Sequence, residues 1–261
     1  MLEAKHLTKQ YIFRDERGLK IKTNPVNDVS IFLDHNHVYS LIGESGSGKS
    51  TLARLLSAII RPTSGEVLFQ GQNLPTLPAK NLKALRSKFQ LILQDGQSAL
   101  DPRKIVFDSI AEPLRNLKKI SRKDEVQMVH SIAEKVQLSK SMLSRYPNEL
   151  SGGQQKRVCI ARALCLSPDV VIFDESVSGL DITVQKIILD LLLKLQEEYK
   201  TTYLFITHDI DVALYMAQDI FVMKEGRILE QLNNAYSYSD FHHHYSRMLI
   251  ESLPPKSPYE R

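Results

Sequence analysis

The nine residues from Gly43 to Thr51 read GESGSGKST, and no other stretch limits the possible folds so sharply. The run before them, HVYSLIG (His37 to Gly43), is strand-like and closes on glycine, while KSTLARLLSAII, from Lys49 onward, repeats apolar residues at helical spacing. Strand, tight glycine loop and helix, in that order, is the context in which this pattern works as a phosphate loop. Read singly, Gly43-Glu44-Ser45-Gly46-Ser47-Gly48-Lys49-Ser50-Thr51 gives each group a task. Its glycines let backbone N–H groups close round a β-phosphate, Lys49 brings a cation to the β and γ oxygens, and Ser50 offers a hydroxyl to Mg²⁺.

A second stretch has the same physical character. LSGGQQKRV (Leu150 to Val158) sets Ser151, Gly152, Gly153 and Gln154 at the start of a run that reads as a helix. Such an arrangement gathers backbone N–H groups at the positive end of a helix dipole. One chain with two phosphate seats raises the question of whose phosphate the second one holds.

Short β-rich runs alternate with longer helical ones along the chain. GEVLFQG (Gly65 to Gly71) and KFQLILQD (Lys88 to Asp95) read as strands between turn signals. From Ile105 to about Leu166 the pattern is helical, with its break at Tyr146-Pro147-Asn148, and predicts a mainly helical insertion. DVVIFDE (Asp169 to Glu175) is a continuous apolar run closed by two acids, as expected of a strand buried on both faces of a parallel sheet. The following segment places Val184, Ile187, Ile188, Leu191, Leu192 and Leu195 on one helical stripe. TTYLFITHD (Thr201 to Asp209) is a further buried strand, and DIFVMKEGRILEQ reads as a hairpin. This order predicts an α/β fold with a mostly parallel sheet, whose chemistry sits at the carboxyl ends of the strands. Beyond Gln231 the chain is polar, tyrosine-rich and proline-terminated, and reads as an appended extension; His242-His243-His244 suits a surface or packing role, since three sequence neighbours rarely converge on one ion.

Carboxylates at the end of a buried strand are costly to desolvate unless they have a task. Asp174 is placed to hold Mg²⁺ through water, and Glu175 to polarise the water that attacks a γ-phosphate. Gln94 and His208 close two further strands, so both are expected in the same crevice as sensors of the γ-phosphate.

Bulk properties narrow the partners. The net charge of +4 arises from 34 basic and 30 acidic residues without a long like-charge block, which is poor support for nucleic-acid binding. Cys159 and Cys165 stand six apart in a helical stretch and match no disulfide or metal spacing. No apolar run approaches the roughly 20 residues of a membrane span, and MLEAKHLTKQY carries no signal core.

With these motifs assembled, the chain resembles the ATP-binding subunit of an ABC transporter over nearly its whole length, with the family's motifs in the family's order. Tyr11 matches the aromatic that stacks on adenine, Gly43 to Thr51 the Walker A loop, Gln94 the Q-loop, and Leu150 to Gln154 the signature. Val170 to Asp174 matches Walker B, Glu175 the catalytic glutamate, Ser178 to Asp181 the D-loop, and His208 the switch histidine. The resemblance implies a P-loop ABC ATPase fold with an antiparallel β subdomain and a helical subdomain over about residues 96–166, within an ATPase domain of residues 1–230 and a C-terminal extension over 231–261. ATP and Mg²⁺ are the implied cofactors, with Ser50, Gln94 and Asp174 on the metal. It also answers the question of the second seat: in such a family two domains pack head to tail, so the resemblance implies that Ser151, Gly152 and Gly153 hold the partner's γ-phosphate, that Gln154 and Asp181 also belong to the nucleotide site, and that one chain alone is a poor ATPase.

Three features resemble the oligopeptide, dipeptide and nickel importer branch: the long segment after Tyr11, the run LQDGQSALDPR (Leu93 to Arg103), and the tail HHYSRMLIESLP. The branch implies a second, F-type ATPase paired with a different ATPase subunit, under two transmembrane permease subunits fed by an extracellular solute-binding protein. Its place would be peripheral, on the cytoplasmic face of the cell membrane. Residues near Gln97 to Arg103 would meet a coupling helix of the membrane subunit. Departures are the Asp34-His35-Asn36 turn without its usual glycine, Gly96 in place of a proline, and Ser176 in place of the proline after Glu175. The alternatives are an ABC exporter or a soluble ABC ATPase of cluster assembly or DNA repair; the insertion lacks the heptad arrays of the last.

Overall fold

Two sheets carry the chain in the computed structural model, which describes residues 1–14, 16–93, 99–118 and 120–253. The first is antiparallel: β1 (Leu2–Arg14), β2 (Lys20–Leu33), β4 (Ser64–Phe69) and β5 (Gln72–Asn73), in the order β2-β1-β4-β5. The long segment after Tyr11 is its outer hairpin, with Tyr11 opposite Thr23 and Phe13 opposite Ile21.

The second sheet is the core. It contains β3 (Val38–Ile42), β6 (Phe89–Ile92), β7 (Val170–Asp174), β8 (Thr202–Thr207), β9 (Asp219–Lys224) and β10 (Arg227–Leu232), in the order β10-β9-β3-β8-β7-β6. Only β9 and β10 pair antiparallel, as the hairpin pattern predicts. Every residue of β3, β7 and β8 is buried, because helices cover one face of this sheet and the antiparallel sheet with α1 (Lys49–Leu56) covers the other. Phe173 and Phe205 sit opposite each other on β7 and β8 with parallel rings 4.4 Å apart.

The order of these strands decides where chemistry can occur. β3 lies between β8 and β9, and β8 lies between β3 and β7. Ile42 pairs with Thr207 and Asp174 with Ile206, so the carboxyl ends of β3, β7 and β8 finish level with one another. At a strand spacing of about 4.8 Å, the loops that leave them must share one crevice.

Between β6 and β7 stands a helical layer: α3 (Val106–Leu117), α4 (Arg122–Lys135) and α5 (Gly152–Leu164). A small α2 (Ala79–Leu85) precedes β6; α6 (Ile182–Tyr199) crosses from β7 to β8, and α7 (Ile210–Met216) from β8 to β9. The helical pattern over 105–166 is interrupted more often than its periodicity predicts. Ser121 starts α4 by accepting from the Asp124 N–H (3.2 Å), Gln137 stops it at φ 59°, and 3₁₀ turns fill 140–144 and 147–149. The stripe on α6 also needs correcting at its N-terminal end, where Ile187 is exposed and Val184 half-buried, while Ile188, Leu191, Leu192 and Leu195 enter the core. Both cysteines are buried among apolar residues, and burial pushes their thiols up to about 11 at Cys159 and about 12 at Cys165.

The last described segment does not hang free. Ala235, Phe241 and Tyr245 pack with Ile42, Ile210 and Ile220, and α8 (His244–Glu251) lies against this third cluster. His242, His243 and His244 are exposed, and His243 caps α8 by accepting from the Tyr245 N–H at Nδ1 (3.1 Å). In the glycine-free Asp34-His35-Asn36 turn, Asn36 takes the left-handed conformation that glycine favours, at φ 53°, and accepts a hydrogen bond from Gln196 Nε2 (3.1 Å).

Candidate nucleotide site

The loop from Gly43 to Gly48 leaves β3 and turns into α1 under tight steric control. A side chain on Gly43 would place its Cβ 2.1 Å from the Met223 carbonyl oxygen, and one on Gly48 1.8 Å from the Pro25 carbonyl oxygen. The loop is thus wedged between β9 and β2, and the Gly226 N–H ties it further by donating to the Ser47 carbonyl (2.9 Å). Gly48 is the N-cap of α1 at φ 108° and offers no side-chain acceptor, so the first N–H groups of the helix have no side-chain cap. A tetrahedral anion is the natural partner for such a set.

Lys49 is buried and folds back over the loop, donating to the carbonyls of Gly43 (2.7 Å) and Glu44 (2.8 Å) and to Ser47 Oγ (3.4 Å). Desolvation lowers its pKa, opposed by the charges of Glu175, Asp174 and Glu44. Ser50 donates its hydroxyl hydrogen to Asp174 Oδ1 (3.0 Å). Burial raises the Asp174 pKa, against the hydrogen bond from Ser50, and the neighbouring Glu175 charge raises it further.

Glu175 follows at φ 46°, a left-handed backbone that anchors its N–H to the Ile206 carbonyl (2.9 Å). Its carboxylate oxygen Oε2 stands 3.5 Å from His208 Nδ1, just past the end of β8. Ser176 is buried, and the chain turns with Ser178 donating from Oγ to the Glu175 carbonyl (2.7 Å). Asp181 then caps α6, accepting from the Val184 N–H (3.0 Å). A cavity of about 320 Å³ is lined by Pro25, Ser45, Gly46, Gly48, Lys49, Ser50, Thr51 and Glu175.

The residues singled out from sequence therefore divide into groups. Lys49, Ser50, Asp174, Glu175 and His208 are brought together. Tyr11 is half-exposed on β1 with Lys9 Nζ 5.1 Å from its ring centre. Ser151, Gly152, Gly153 and Gln154 form the start of α5 and line none of the cavity. There, Ser151 and Gln154 close a reciprocal cap, Ser151 N–H to Gln154 Oε1 (2.9 Å) and Gln154 N–H to Ser151 Oγ (3.4 Å). A Cβ on Gly153 would meet Val184 Cγ1 of α6 at 2.9 Å. Gln94 lies outside the described residues, as do Gly96 and the Gln97–Ser98 part of the segment running to Arg103.

Sequence reasoning missed Pro25, Met223 and Gly226, which back the loop from distant strands, and Val184, which faces Gly153. These contacts have no local signal: Pro25, Met223 and Gly226 matter through strands brought together from far apart in the chain, and Val184, legible only as part of a helical stripe, through the packing of α6 on α5.

Comparison with known proteins agrees with this geometry. Residues 26–178 match the family described as ABC transporter. The chain is 39% identical over 258 residues to the nickel import ATP-binding protein NikE of Brucella abortus (strain 2308), covering 99% of this chain and 97% of that one. It is 40% identical over 263 residues to the probable peptide ABC transporter ATP-binding protein y4tS of Sinorhizobium fredii (strain NBRC 101917 / NGR234), covering 99% and 74%. The dimeric post-hydrolysis structure of the ATP-binding cassette MJ0796 bound to ADP and Pi superposes with a TM-score of 0.79 at 29% identity, over 89% of this chain and 98% of that one.

Proposed function

The chain belongs to the ABC transporter family, and from that premise we propose that it is the ATP-hydrolysing subunit of an importer for peptides, nickel or metal–chelator complexes. The observation that carries this reading is that Lys49, Ser50 and Glu175 line one cavity at level strand ends, with Asp174 accepting from Ser50 and His208 3.5 Å from Glu175, while Ser151 to Gln154 stand apart at the start of α5.

In this reading the loop N–H groups and Lys49 hold the β- and γ-phosphates, and Tyr11 faces the adenine. Ser50 and Asp174, an oxygen pair already 3.0 Å apart, suit Mg²⁺, which takes few protein carboxylates and keeps its waters. Held there by Ser50 and Asp174, Mg²⁺ would supply positive charge to the phosphate oxygens. Glu175 orients and deprotonates the attacking water, and His208, within reach of that carboxylate, contacts the γ-phosphate. Gln94 is proposed as the further contact to the metal and γ-phosphate. Ser151, Gly152, Gly153 and Gln154, with Asp181, complete the site of a second ATPase subunit, so closure becomes a condition of turnover.

The proposed division is an ATPase domain over 1–230, with a helical part at about 96–166, and an extension over 231–261. Two permease subunits and an extracellular binding protein complete the proposed assembly. No helix among the described residues is long and apolar enough to cross a membrane, in keeping with a peripheral position on the cytoplasmic face. A cavity of about 320 Å³ between β6, α3 and α5, lined by Leu91, Leu93, Ala99, Pro113 and Cys159 among others, suits a coupling helix of the permease. Arg162 of α5 braces it, donating to the Ala99 carbonyl (2.8 Å) and to Glu112 Oε2 of α3 (3.0 Å), which joins Ala99 and α3 to α5.

Uptake by cells carrying Glu175→Gln, with labelled peptide set against labelled nickel, tests the reading. ATP binding should persist while turnover and transport stop; undiminished uptake would remove Glu175 from its role.

A further inference from the structure

The peptide unit between Gly43 and Glu44 is held from both sides. Its carbonyl accepts from Lys49 Nζ (2.7 Å), and its N–H donates to the hydroxyl oxygen of Tyr245 (3.4 Å), a residue far along the chain on α8. A peptide unit is planar, so fixing its N–H also fixes the direction of its carbonyl. The orientation of the acceptor that seats the Lys49 ammonium thus depends on a phenol from the C-terminal segment.

Tyr245 is itself firmly placed. It is buried, its ring packs in the cluster with Ile42 and Ile220, and Lys224 Nζ lies 4.5 Å from the ring centre. The start of α8 is pinned by one carboxylate on β10: Glu230 accepts from the backbone N–H groups of His242 (2.7 Å) and His243 (2.9 Å) and from the Ser246 hydroxyl. His243 caps the helix by accepting from the Tyr245 N–H at Nδ1 (3.1 Å). Apolar packing alone would be served by phenylalanine; the hydroxyl is the part that reaches the loop.

We propose that Tyr245 is a positioning residue for ATP binding, which acts through Lys49 by orienting the Gly43–Glu44 peptide, and that α8 is a working part of the nucleotide site. This rests on the reading of Gly43 to Thr51 as the nucleotide seat. The segment following the β9–β10 hairpin then gives any partner that moves α8 a direct route to nucleotide affinity.

The test is a double-mutant cycle on the full chain, reading the Kd for a fluorescent ATP analogue together with the thermal unfolding midpoint. Tyr245→Phe keeps the ring and its packing; losing one hydrogen bond should weaken binding about threefold to tenfold with the midpoint unchanged. In a Lys49→Ala background the same substitution should change Kd by less than about twofold, because the group it orients is gone. Wild-type affinity in Tyr245→Phe overturns the proposal. So does an equal loss in both backgrounds, or a loss matched by a fall in the midpoint, since either means the residue acts through general structure. If Lys49→Ala alone leaves Kd unchanged, it is the nucleotide seat that is misassigned, and both readings fall together.

Discussion

Ser50 donates its hydroxyl hydrogen to Asp174 Oδ1 across 3.0 Å, so the first turn of the phosphate-loop helix is bonded directly to the last residue of a fully buried strand. In the proposed site this contact joins the part that would seat phosphate to the part that bears acid. It also places a charged carboxylate where solvent is largely excluded, with Asp174 only 3% exposed.

That burial predicts a pH dependence of stability. Desolvation holds the Asp174 pKa above its ordinary value, so the folded chain binds this proton more tightly than the unfolded chain does. Stability from this group is therefore fully present in acid and declines as pH rises from the unfolded pKa through the folded one. Asp174→Asn should raise the nucleotide-free unfolding midpoint at neutral pH, with the gain shrinking as pH falls, and lower ATP turnover by about two orders of magnitude. Thermal unfolding across pH, beside a turnover assay, checks both; a variant less stable than wild type at neutral pH would contradict the argument.

Gly153 is constrained within its own chain. A Cβ there meets Val184 Cγ1 at 2.9 Å, and a valine on a helix has little freedom to turn away. Gly153→Ala should cost about 1 kcal/mol or more in the isolated chain, and Val184→Ala should recover much of it. Denaturant unfolding of the single and double variants measures the coupling; additive losses would show that the contact is not felt.

The turn at Asn36 gives a backbone test. Asn36 sits at φ 53° and its side chain accepts from Gln196, so it combines a left-handed conformation with a bond that glycine lacks. Asn36→Ala should destabilise by about 1–2 kcal/mol, and Asn36→Gly by less, since glycine takes this φ without strain. The order of the two in chemical denaturation is the check, and alanine milder than glycine would refute it.

Legibility in the sequence followed the range of the interaction that fixed each feature. The strand, glycine loop and helix around Lys49, and the acid pair closing β7, are short-range patterns and could be read directly. So could the hairpin of β9 and β10. What escaped was set by strand order and helix packing: that Met223 and Pro25 close on Gly43 and Gly48, or that Val184 of α6 faces Gly153 of α5, follows from neighbours that periodicity does not encode. The stripe on α6 illustrates the same limit. Ile187 has the spacing of a core residue and is exposed, because periodicity identifies a face without saying what covers it. Tyr245 was visible only as part of a tail pattern, and its contact with Glu44 depends on how α8 packs on β9 and β10.

The central claim is that the phosphate seat on α5 serves a neighbouring subunit. Its most direct test is ATP turnover per chain measured over a wide range of chain concentration, with and without Ser151→Ala. Turnover should rise with concentration, or with added partner subunit, and Ser151→Ala should depress that rise while leaving ATP binding to the same chain intact. A turnover per chain that is high and constant at every dilution, and indifferent to Ser151→Ala, would contradict the account.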